Sequence, residues 1–136
     1  MKNFLGPLID NPRGFSLRNE RTGAVVAWDL VPAFDSASRR TGLLKHASLQ
    51  DGTALIIAPS NSVHTFFMKF PIDLAFVARD GKIVKTRDAV GPWRIALSLR
   101  AFAVIELSAG RLKRTETVSG DRLVVSARRP GDAGSS

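Results

Sequence analysis

Hydrophobic residues along this chain fall into short runs separated by turn signals, with spacings that favour strands over helices. Phe15 to Arg18 and Ala24 to Val31 are β-prone and flank Asn19-Glu20-Arg21-Thr22-Gly23, whose last residue suits a hairpin loop needing positive φ. Ala54 to Ala58 is uninterrupted apolar sequence between Asp51-Gly52 and Pro59, the profile of a strand buried on both faces. From His64 to Lys69 the pattern alternates, which predicts His64, Phe66 and Met68 on one face and Thr65, Phe67 and Lys69 on the other. A turn at Phe70 to Asp73 leads to a strand over Leu74 to Arg79. Asp80-Gly81 then supplies a two-residue hairpin turn into Lys82 to Thr86. Three antiparallel strands in sequence order are expected here.

Ala101 to Leu107 and Arg122 to Ser126 complete the predicted strands. Asp35 or Ser36 can cap a two-turn helix over residues 37–41, and one helical turn fits between Gly110 and Thr117. The fold class expected is all-β and mainly antiparallel, a compact β-sandwich or irregular β-barrel with one or two short helices. Residues 1–127 form a single domain in this reading. Residues 128–136, with alanine as their one apolar residue, are expected to be a disordered tail.

Composition narrows the functional classes. The chain has 136 residues, 44% of them hydrophobic, and no cysteine, so disulfides and thiolate metal sites are excluded. No apolar run approaches the ~18 residues needed to span a bilayer, and no membrane partner is expected on that ground. The short apolar stretch at the start is broken by Gly6 and Pro7 and lacks the long core of a secretory leader, so a cytoplasmic location is the default expectation. A net charge of +8 invites a nucleic-acid reading. The excess is spread along the chain, however, as +3 in residues 1–45, +2 in 46–110 and +3 in 111–136. A solvated basic surface therefore accounts for it better than a dedicated patch, and nucleic acid is an unfavoured partner.

The run His64-Thr65-Phe66-Phe67-Met68-Lys69-Phe70-Pro71-Ile72-Asp73-Leu74-Ala75-Phe76, followed by Asp80-Gly81-Lys82-Ile83-Val84, closely resembles the central signature of the domain of unknown function 192 family. Arg40-Thr41-Gly42-Leu43 is similar to that family's upstream Arg-x-Gly-Leu element. Glu106-Leu107, Gly110 and Gly120-Asp121 are similar to its downstream elements. The resemblance implies a compact β-rich domain of bacteria and archaea for which no activity is established as a family property. Two departures bear on chemistry: Ser60-Asn61-Ser62 stands where some members carry a cysteine, and Phe67 where others carry tryptophan.

Four residues are candidates for binding a ligand. His64, on a strand face with Phe66 and Met68, is expected to be partly desolvated and so suited to act as a base, although a core histidine bonded to a carbonyl is the commoner outcome. Glu106 shares a face with Phe102 and Val104 in a strand otherwise free of charge. Such a carboxylate seldom stays unpaired, so it should hold an arginine or receive a ligand. Asp73 reads as a turn-capping or ion-paired carboxylate facing Arg40 or Lys69. A His64–Asp73 dyad is disfavoured because six residues of strand at ~3.3 Å each separate the ends by about 20 Å. With His46 and His64 far apart and no Gly-x-Ser-x-Gly element, neither a metal centre nor a catalytic nucleophile is indicated, and no cofactor is expected.

These features favour a non-catalytic binding module for a small polar ligand or a peptide segment, with His64, Glu106, Asp73 and Arg40 as candidate contacts. The alternatives are a nucleic-acid binding module using the dispersed basic surface and a hydrolase-like enzyme using His64 or Glu106 as acid or base.

Overall fold

The computed structural model describes residues 2–11, 13–35, 49–66 and 68–134. The helix expected over residues 37–41, the Arg40-Thr41-Gly42-Leu43 element, His46 and Phe67 lie outside the described residues. Strand β1 (Phe15–Asn19) pairs antiparallel with β2 (Val25–Ala27), as the predicted hairpin requires. The stretch read as one strand from Ala24 to Val31 is broken at Trp28. There β3 (Asp29–Ala33) departs for a second sheet and runs parallel to β4 (Thr53–Ile57). The Trp28 and Asp29 amides both donate to the Gly52 carbonyl, at 2.9 and 3.0 Å. Gly52 has φ +88°, and a Cβ there would overlap the Trp28 indole, so only glycine lets the ring lie against this turn.

The chain continues through β5 (Ser62–His64), β6 (Ile72–Val77), β7 (Ile83–Val90), β8 (Ile95–Leu97), β9 (Ala103–Ser108) and β10 (Leu123–Ala127). Among the described residues three sheets result: β10-β1-β2, a five-stranded mixed sheet β3-β4-β9-β6-β7, and a ribbon β5-β8. Alternation along the central strands divides the core. Ala75, Val77, Ile105 and Leu107 pack with Leu17, Val26 and Leu123 of the three-stranded sheet. On the opposite face, Leu74, Phe76 and Val104 meet Val63 and Ala96 of the ribbon. The predicted all-β class holds, with two short helices among the described residues, and the sheets do not close into a barrel.

Helix α1 (Gly6–Asp10) starts where Gly6-Pro7 reads as a break. Proline is compatible with a first helical turn, whose amides have no intrahelical partner in any case, and Leu5 and Leu8 are buried around it. Helix α2 (Arg111–Arg114) is the turn expected between Gly110 and Thr117.

Three expectations are corrected. The alternating strand from His64 to Lys69 does not form, because β5 stops at His64 and Thr65 turns inward. The Thr65 hydroxyl donates to the Gly91 carbonyl at 2.7 Å and accepts from the Arg94 amide at 2.9 Å. The Met68 amide then closes a turn on the Thr65 carbonyl. The turn expected at 70–73 is instead the approach to β6, with Ile72 and Asp73 already in the strand. The tail expected to be disordered is also docked as far as Asp132. The Arg128 amide donates to the Gly14 carbonyl at 2.8 Å, and the buried Asp132 carboxylate receives the Arg129 amide, the Ser16 hydroxyl and the Arg18 guanidinium. These donors, the Arg129 amide foremost, hold Asp132 down at about 2.

Candidate functional site

Glu106 lies in β9 between β4 and β6, in register with Leu55 on one side and Leu74 on the other. Its side chain is fully buried, and neither carboxyl oxygen has a hydrogen-bond partner among the described residues. Burial alone pushes its pKa up to about 8, so the group is largely protonated at neutral pH. No arginine among the described residues pairs with it, and Arg40 lies outside them. An acid buried in the sheet without a partner is a cost to folding.

Asp73 is adjacent in register but serves the other face of the sheet. Its carboxylate accepts from the Ala89 amide at 2.8 Å and from the Leu112 amide in α2 at 3.0 Å. It therefore ties β6 to the bulged end of β7, where Ala89 has φ +47°, and to the first turn of α2. Neither Arg40 nor Lys69 supplies a described contact to it. The same helix is anchored by Arg111, wholly buried, whose guanidinium donates to the Val25 and Val26 carbonyls at 2.8 and 2.9 Å and reaches Asp51 at 3.3 Å. Sequence reading gave this arginine no role.

His64 departs furthest from expectation. It is exposed, because the outward positions of β5 are Ser62 and His64 while Val63 faces the core. Its ring lies 4.8 Å from that of Phe66, which stacks at 5.6 Å on the exposed Trp93. The inward-facing imidazole, and with it a pocket shared by His64 and Glu106, is thus overturned.

A cleft of about 710 Å³ lies elsewhere, open to solvent at one end of the five-stranded sheet. Its walls are Pro59-Ser60-Asn61 after β4, Ala78-Arg79-Asp80 after β6 and Arg100-Ala101-Phe102 before β9. These come together because Val77 pairs with Ala103 at the last rung of the β6–β9 ladder and the Phe102 amide donates to the Val77 carbonyl at 2.8 Å. The Ser60 amide donates to the Phe102 carbonyl at 2.9 Å, drawing in the third wall. The Arg79 guanidinium lies 4.4 Å over the Phe102 ring, and neither Arg79 nor Arg100 has a carboxylate partner among the described residues. Asp80, the acid of the lining, is held below the usual carboxylate range by the Lys82 amide and by Arg122 at 3.1 Å. Sequence reading missed this cleft. Its residues come from three loops, and the pairing of β6 with β9 was the signal that could have joined them.

Among the described residues, no cluster of three His, Cys, Asp or Glu side chains could hold a metal, and no helix is long and apolar enough to cross a membrane. The fold is similar to two solved structures. One, from Sinorhizobium meliloti 1021, is described as a "putative transcription regulator"; it is 23% identical, covers 82% of this chain and 91% of its own, and has a TM-score of 0.68. The other, a protein of unknown function from Novosphingobium aromaticivorans DSM 12444, is 20% identical, covers 80% of this chain and 81% of its own, and has a TM-score of 0.68. At these identities the likeness concerns the fold. No curated protein matches the sequence. The family model for DUF192, described as "Uncharacterized ACR", matches residues 17–125, which span the hairpin, the central sheet and the cleft, and the chain belongs to that family.

Proposed function

We propose that this protein is a non-catalytic binding module whose site is the cleft at the strand ends, and that its ligand is a small polar molecule or peptide segment carrying an anionic group. One observation carries the reading: two guanidiniums, Arg79 and Arg100, line a cleft of about 710 Å³ without a carboxylate partner among the described residues. A planar guanidinium is suited to fork onto a carboxylate or phosphate. Phe102 supports the Arg79 side chain from beneath, and Ser60 and Asn61 add polar groups that can fix orientation. A binding role suits this lining better than catalysis, because Asp80 is already engaged by the Lys82 amide and Arg122.

The test is a thermal-shift and calorimetric screen of the full chain against small carboxylates and phosphates, repeated with Arg79→Gln and Arg100→Gln. Anions of one class should raise the melting temperature, and either substitution should weaken their binding about tenfold, the loss of a charge-assisted contact. Binding by both variants as tight as that of the parent, or no anion that binds, contradicts the proposal.

A further inference from the structure

The ribbon presents an apolar face that the cleft does not use. Its outward positions pair His64 with Ile95 and Ser62 with Leu97, while Ala96 between them is buried. Trp93, stacked on Phe66, extends the face at one end, and the exposed Leu99 lies in the turn just beyond Leu97 at the other. Trp93 and Ile95 are each 63% exposed, Leu97 is 48% and Leu99 is 81%. Four large apolar side chains so close together are not the scattered surface hydrophobics of an ordinary domain.

The segments that carry the ribbon are themselves basic, with Asp88 of β7 and the Asp80 of the cleft lying outside them. Residues 54–72 and 89–105, which carry both ribbon strands and their loops, include Lys69, Arg94 and Arg100 and contain no Asp or Glu. From the neighbouring β7, Lys85 donates its ammonium to the Leu97 carbonyl at 2.8 Å, fixing a further cation beside the face. We infer that this ribbon is a peripheral docking surface for an anionic lipid bilayer, with Trp93, Ile95, Leu97 and Leu99 entering the interface and the cations meeting the headgroups. Tryptophan with aliphatic side chains and a basic rim is the composition that adsorbs at such an interface. A second copy of this chain is a poorer occupant, because two like faces would bring cations against cations on a molecule of net charge +8. A docked peptide prefers a groove, whereas side chains as exposed as Leu99 stand proud of the surface. The expectation of no membrane partner came from the want of a spanning segment, which does not bear on adsorption.

The experiment is sedimentation of the full chain with large unilamellar vesicles of phosphatidylcholine, with and without phosphatidylglycerol, in low salt. Quenching of tryptophan emission by brominated lipid is read in parallel. The chain should pellet with the anionic vesicles. Ile95→Ser with Leu99→Ser should weaken pelleting about tenfold while leaving the circular dichroism melt unchanged, since both side chains are exposed. Trp93→Phe should abolish the quenching, because the remaining Trp28 packs against Arg111 and Gly52. Four results would overturn the inference. They are no pelleting with anionic vesicles, pelleting that the double serine variant retains in full, a dimer that Leu99→Glu dissolves, and a single-stranded oligonucleotide that displaces the vesicles through Trp93. None of the substituted residues lines the cleft, so a failure here is separate from a failure there.

Discussion

Glu106 is the residue whose behaviour follows most directly from its surroundings. Its pKa rises from an ordinary value near 4.5 to about 8 through burial, with no partner among the described residues to offset it. Between those values the folded chain keeps a proton that the unfolded chain has released, so stability falls as pH rises, by up to ~1.4 kcal/mol per pH unit. Below the lower value both states are protonated and the penalty is gone. Glu106→Gln removes the titration, so chemical denaturation of the variant should give a stability that is flat from about pH 5 to 8 where the parent declines, with the variant the more stable by ~2 kcal/mol or more at the upper end. Parallel profiles for the two proteins would contradict this assignment. The sequence already set Glu106 apart as one charge in an apolar run. The fate of His64 was not legible there, because a two-residue periodicity says which residues share a face only while the strand continues. Thr65 ends it by spending its hydroxyl on Gly91 and Arg94.

At the scale of elements, the parts read correctly are those whose local pattern agrees with their burial. Strand β4 is a bare apolar run and β9 nearly so, both central; the β6–β7 hairpin has Asp80-Gly81 at its turn; and β10 closes on β1. Strand β8 was missed because it buries Ala96 and exposes Ile95 and Leu97, the inverse of the pattern that marks an amphipathic strand. The division of Ala24 to Val31 into β2 and β3 was equally hidden, since it depends on Gly52, more than twenty residues away in sequence. That contact gives a direct test at this scale. Gly52→Ala places a methyl group inside the Trp28 ring at a backbone φ of +88°, so it should lower stability by ~2 kcal/mol or more and shift the Trp28 emission. A variant as stable as the parent would show that the β2–β3 junction is held by other contacts.

For the whole molecule, the central mixed sheet divides the labour. One face is bonded to the three-stranded sheet through Asp73, Arg111 and the first core, and the other carries the ribbon, while the strand ends leave the cleft. The net charge of +8 was plain from composition, but which cations gather around a cleft is a property of long-range pairing, above all of Val77 with Ala103. The all-β class could therefore be read from the chain, and the proposed cleft could not. The claim on which the functional account rests is that anions enter between Arg79 and Arg100. Titration of the isotopically labelled full chain with inorganic phosphate and with a small carboxylate, followed by amide and guanidinium resonances, tests it most directly. Saturable shifts confined to Ser60, Asn61, Arg79 and the Arg100–Phe102 segment are predicted, whereas shifts spread evenly over the basic surface, or centred away from the cleft, would contradict it.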